Sequence, residues 1–233
     1  MKTEICVGTL EAARLVSKQA IDRIETCIAL EQGGLTPSRA MVSWIHQTFH
    51  LEQHALIRLR AGGFVYHYDE IVVMRDQILE LKDSGIRGVV VGALTSDFKL
   101  NLEALETWKR SAPHLDFTFH RAFDQVMDWN PAMDQLVKMG FKRILTSGSD
   151  RSVMQGMQRL REFSDYADGR IEIMAGGGVT EALIPELKVS GVDAIHFSGT
   201  SKVTVEPGSA FEETVLLPDE NKLTAILAAI QEK

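Results

Sequence analysis

Short β-branched runs alternate with amphipathic helical stretches along the whole chain, and this alternation admits few folds. It is the pattern of βα units built around a parallel sheet. Candidate strands cover residues 4–7, 23–27, 54–59, 88–91, 116–120, 143–147, 170–175 and 194–198, and each precedes a helical pattern such as 10–19, 41–49 or 221–231. Eight strand–helix units predict an α/β fold of one closed (β/α)8 TIM barrel. The 233 residues suit such a barrel, and no Gly/Ser/Pro-rich linker divides them. One domain over 1–233 is therefore expected, with 200–220 an irregular loop before the last helix.

A faint internal repeat supports the count. Its copies are Gln19-Ala20-Ile21-Asp22-Arg23-Ile24-Glu25, Ser84-Gly85-Ile86-Arg87-Gly88-Val89-Val90, Met139-Gly140-Phe141-Lys142-Arg143-Ile144-Leu145 and Ser190-Gly191-Val192-Asp193-Ala194-Ile195-His196. They fall on the even-numbered strands. In three of them a glycine stands where a helix ends in the left-handed conformation, which costs glycine no Cβ strain.

Charge and composition narrow the function. With 25 basic against 32 acidic residues, net −7, the chain lacks the basic stripe that nucleic acid requires. The start, Met1-Lys2-Thr3-Glu4, has no apolar signal region behind it, and no apolar run reaches the ~18 residues of a spanning helix. A cytoplasmic protein with no membrane partner is expected. Cys6 and Cys27 are too few for a disulfide scaffold and are expected as free thiols.

Strand parity says which side chains face the axis. Ile24, Val89, Ile144 and Ile195 match across the repeat and should face the helices. Glu25, Val90, Leu145 and His196 then face inward, with Cys27, Gly92, Ser147 and Ser198 above them. On the odd strands Glu4, Cys6, Leu56, Arg58, Thr118, His120, Glu172 and Met174 turn inward. Barrel interiors are ordinarily layers of Val, Ile and Leu, so these charged groups must pair, bind a ligand or shift their pKa.

Two chemical readings attach to the strands' C-terminal ends, where such barrels carry their sites. His120 suits general acid or base chemistry, with Asp124 or Glu172 orienting it and Glu25 across the axis. Arg58 would clamp a carboxylate or phosphate through its planar fork. Gly176, Gly177 and Gly178 after strand 7, with Ser198 and Gly199 after strand 8, suit an anion cradled by backbone N–H groups and a helix N-terminus. Together they describe an enzyme acting on a small, phosphorylated metabolite. A purely structural polar network is the alternative. The loops 31–38 and 61–69 are long enough to cover the mouth, and Ser38 suits a helix N-cap.

The segments Asp22-Arg23-Ile24-Glu25-Thr26-Cys27, Gly33-Gly34-Leu35-Thr36-Pro37-Ser38, Thr118-Phe119-His120-Arg121-Ala122-Phe123-Asp124, Arg143-Ile144-Leu145-Thr146-Ser147-Gly148 and Ile171-Glu172-Ile173-Met174-Ala175-Gly176-Gly177-Gly178-Val179 closely resemble the CutC family. Those proteins are named for a role in copper homeostasis. The resemblance runs over roughly 1–200 and implies a cytoplasmic (β/α)8 barrel, a homodimer, and copper as the bound ion. Arg58-Leu59-Arg60-Ala61-Gly62-Gly63-Phe64 departs from the family's usual proline and acid, and 200–220 departs from its tail.

Cys6 and Cys27 occupy the family's cysteine positions, inward on neighbouring strands about 4.8 Å apart, where two thiolates could bridge one Cu(I). Met174 is a further soft donor. The competing description is two thiols that pack as small hydrophobes.

Overall fold

The computed structural model describes residues 1–149 and 151–232. Strands β1 (Lys2–Val7), β2 (Arg23–Thr26), β3 (Gln53–Leu56), β4 (Gly88–Val91), β5 (Asp116–Phe119), β6 (Arg143–Thr146), β7 (Glu172–Gly176) and β8 (Ala194–Phe197) form a closed barrel in chain order. The (β/α)8 architecture expected from the alternation is present. Closure runs through β1, which pairs in parallel with both β2 and β8. Glu4 stands opposite Arg23 on one side and His196 on the other, and Cys6 stands opposite Glu25.

Helices α1 (Leu10–Val16), α2 (Arg39–Phe49), α3 (Tyr68–Leu81), α4 (Leu102–Ser111), α5 (Trp129–Lys138), α6 (Val153–Ala167), α7 (Ile184–Lys188) and α8 (Glu220–Gln231) follow the strands. Four of them start on a side-chain cap. Thr9, Ser38, Asn101 and Asp219 accept from the backbone N–H groups of Ala12, Met41, Ala104 and Lys222, satisfying donors that a helix start leaves unpaired. Gly85, Gly140 and Gly191 take the left-handed conformation of the repeated junction. No described helix is long and apolar enough to cross a membrane.

Parity holds around the barrel. Ile5, Ile24, Ala55, Val89, Ile144 and Ile195 are fully buried in the layer between strands and helices. Leu56 and Val90 pack inside with the two cysteines, and Leu145, Met174 and Ala194 form a second interior cluster. Beneath them the N-terminal end of the barrel holds an ionic network. Arg23 bonds Glu4 at 2.5 Å and Glu172 at 2.6 Å, while Arg143 bonds Glu172 at 3.0 Å and approaches His54 Nδ1 at 3.1 Å. Here each buried guanidinium has a carboxylate, the condition under which buried charge is tolerated.

The 200–220 segment is not an irregular loop. It contains an antiparallel hairpin of β9 (Thr200–Val205) and β10 (Glu213–Pro218), with Val203 opposite Val215. The Thr/Val-rich runs on either side of Pro207-Gly208 supply the β-branched residues and the turn that the hairpin needs.

Candidate ligand and metal site at the barrel mouth

β1, β2 and β8 bring one wall of the site together. Cys6 Sγ lies 3.5 Å from Cys27 Sγ and donates to Glu25 Oε2 at 3.1 Å. His196 places Nδ1 2.8 Å from Glu4 Oε1 and Nε2 3.6 Å from Glu25 Oε2. One donor atom from each of Cys6, Glu25 and His196 falls within 4.8 Å of the others. Cys27 is fully buried behind Cys6.

The titrations of this wall are linked. The neighbouring Cys27 and then burial push the Cys6 thiol well up. Burial also raises the Glu25 carboxyl. Burial alone would lower the His196 imidazole, but the charge of Glu25 and the bond from Glu4 outweigh it and move it up. Glu4 is held far below the carboxylate range, because His196 and Arg23 overcome its burial.

β3 and β5 supply the facing wall. Arg58 is buried and gives part of its fork to backbone: Nη1 donates to Gln32 O at 2.8 Å and Gly34 O at 2.9 Å, and Nη2 donates to Gly62 O at 2.9 Å, while Nε has no partner among the described residues. It thereby ties both covering loops to the mouth, whereas sequence reading gave it only a clamp for an anion. His120 caps its own turn, accepting the Ala122 N–H on Nδ1 at 3.1 Å. The Phe64 ring sits 4.7 Å from the His120 ring and 5.5 Å from Arg58 Cζ. Between the walls is a cavity of about 410 Å³ that Cys6, Glu25, His196, Arg58 and His120 all line.

Two of the expected acid–base residues stand apart from His120. Glu172 is the first residue of β7 and lies at the opposite end of the barrel, bonded to Lys2, Arg23 and Arg143. Arg143 and Arg23 overcome its burial and hold it at about 2. Residues 170–175 place it in mid-strand, but the strand starts at Glu172, so the mouth falls four residues later at Gly176. Asp124 accepts from Arg121 Nε at 2.8 Å, Thr146 Oγ1 at 2.5 Å and the Ser147 backbone at 3.0 Å. It braces the turn after β5 against β6 and leaves the His120 ring alone. Met174 is likewise remote, its sulfur accepting from Arg23 at 3.3 Å.

The glycine loop divides. Gly176 belongs to β7, while Gly177, Gly178, Ser198 and Gly199 line the mouth. Gly177 has φ +106, and a Cβ there would lie 2.8 Å from the Arg121 guanidinium. The helix start expected behind the loop is only a 3-10 turn, Glu181–Leu183, running into the five residues of α7. Ser198 Oγ pairs with Thr200 Oγ1 at 2.8 Å. His196 is a member of the site that the sequence had turned inward without assigning it a role. Its parity was the available signal.

Fold and site define a (β/α)8 barrel whose mouth gathers two thiols, a carboxylate and an imidazole. A profile of the CutC family matches residues 1–201. A CutC family protein of Histophilus somni is 34% identical over 243 residues, covering 100% of both chains. The human copper homeostasis protein cutC homolog is 36% identical over 211 residues, covering 91% of this chain and 77% of its own. The solved structure of a Streptococcus agalactiae CutC superposes with TM-score 0.81 at 33% identity, covering 85% of this chain and 98% of that one. The chain belongs to the CutC family.

Proposed function

We propose that the protein handles copper, carrying Cu(I) as cargo between the sulfurs of Cys6 and Cys27 with His196 as a third donor. The observation behind this reading is the 3.5 Å approach of the two sulfurs beside a cavity. Thiolate and imidazole are donors that suit Cu(I). The name of the human relative points the same way.

The surrounding residues supply the steps that loading requires. A thiol must lose its proton to bind metal. Glu25 already accepts from Cys6 and lines the cavity, so it is placed to take that proton and pass it to solvent. Glu4 holds His196 through Nδ1 and fixes the ring so that Nε2 faces the Cys6–Glu25 side, the way an outer carboxylate orients a metal-binding histidine. Free thiols suit a reducing compartment, and we assign the protein to the cytoplasm, as a homodimer in keeping with the family resemblance.

The test is a competitive Cu(I) titration of reduced protein against a chromophoric chelator, beside the Cys6→Ser/Cys27→Ser double variant. One equivalent taken up by the parent and lost from the variant is expected. Weak uptake that the variant retains would overturn the reading.

A further inference from the structure

We propose that the wall opposite the cysteines binds the oxyanion of a small organic molecule, held by the Arg58 guanidinium and by His120 Nε2. The site shares the cavity with the thiol wall, but neither Arg58 nor His120 belongs to that wall, so the proposal does not rest on the copper reading.

The first observation is a charge without a counter-charge. Arg23 and Arg143, the other buried arginines inside the barrel, each pair with carboxylates. Arg58 is only 7% exposed, lines the cavity, and bonds only to backbone carbonyls. Among the described residues it has no carboxylate partner. A buried cation in that condition is costly unless a ligand supplies the negative charge.

The second observation concerns a proton. His120 is 5% exposed, and its Nδ1 accepts the Ala122 N–H. A neutral imidazole that accepts on Nδ1 carries its hydrogen on Nε2. Burial, and then the charge of Arg58, pull its pKa down to about 3, so the neutral form prevails at physiological pH. The Nε2–H has no acceptor among the described residues. A buried donor left unmatched costs roughly 1–3 kcal/mol, and a negatively charged oxygen is its strongest complement.

The third observation is size. About 410 Å³ lies within the ~300–1,000 Å³ of small-molecule pockets, far more than an ion at the thiol wall occupies. Leu30, Leu56 and Phe64 give the cavity apolar surface for a short carbon skeleton. The ligand is therefore a small phosphomonoester or carboxylate, with its oxyanion toward β3 and β5.

Calorimetric titration with glycerol 3-phosphate, succinate and inorganic phosphate tests this, run with a copper chelator present so that the copper reading has no bearing on the result. Histidine ring 15N spectra are recorded in parallel. One of the two organic anions should bind saturably and shift the His120 Nε2 signal. Affinity should fall by ~10-fold or more in Arg58→Met and in His120→Phe, and stay unchanged in the exposed control His46→Gln. Because Arg58 also ties two loops, His120→Phe decides the matter if Arg58→Met does not fold. Binding of neither organic anion, of inorganic phosphate alone, or binding that survives the His120 substitution would overturn the proposal.

Discussion

Nδ1 of His196 stands 2.8 Å from Oε1 of Glu4, joining the eighth barrel strand to the first across 192 positions of sequence. The same carboxylate also holds Arg23 at 2.5 Å, so one fully buried acid binds both a guanidinium and an imidazole. The thiol wall of the mouth is thus anchored to the ionic network below it.

Glu4→Gln should be among the more damaging single changes inside the barrel. It takes from Arg23 one of its two carboxylates, and breaking a buried pair typically costs ~3–5 kcal/mol. Thermal unfolding would read this as a clear fall in Tm. The His196 pKa should fall as well, because the lost carboxylate favours the imidazolium. An unchanged imidazole titration by NMR would contradict that coupling.

Copper uptake should strengthen with pH. The Cys6 thiol is pushed well above its ordinary value, so at neutral pH binding must displace its proton. Each proton displaced makes the apparent affinity rise roughly tenfold per pH unit. Chelator competition at pH 6, 7 and 8 measures the slope, and a flat profile would exclude Cys6 thiolate as a ligand.

His120 should make the protein less stable in acid. Its folded pKa of about 3 lies below the ordinary 6.5. Between these values the unfolded chain binds a proton that the native ring refuses, so the contribution is complete above pH 6.5 and is lost as pH falls toward 3. Denaturant midpoints of the parent and His120→Phe from pH 7 to pH 4 should therefore converge or cross. Parallel curves would contradict a buried neutral imidazole.

Gly92→Ala should disturb the same ring. A Cβ at Gly92 would lie 2.4 Å from His120 Cε1 and 2.5 Å from Nδ1. Overpacking of this kind costs ~1–3 kcal/mol, and tilting the ring would also break its cap on Ala122. The His120 ring signals and the denaturation midpoint should shift together.

The barrel was legible because βα units leave a period in the sequence, and Ile24 beside Glu25 already fixes which face of β2 is inside. Arg23, His54 and Arg143 obey the same parity two residues earlier. At strand entries, however, charged residues look like loop, so Glu4 and Glu172 were turned inward while their partners Arg23 and Arg143 went unread. The displacement of Glu172 came from one uncertain strand boundary, since a shift along a strand moves a residue from mouth to base. The bonds of Arg58 were illegible for another reason. They end on carbonyls of Gln32, Gly34 and Gly62, and any residue has a carbonyl. The hairpin at 200–218 was hidden by its departure from the family's tail, although its alternating Thr and Val were in plain view.

The pairing of β1 with β8 sets a timetable for biosynthesis. Polypeptides are made at about 5–20 residues per second, so the 192 positions separating Glu4 from His196 take roughly 10–40 s to emerge. For most of that interval Cys6 and Cys27 are already made, while β1 still lacks its β8 partner. A nascent chain carries both sulfurs long before it carries the imidazole that completes their wall of the mouth.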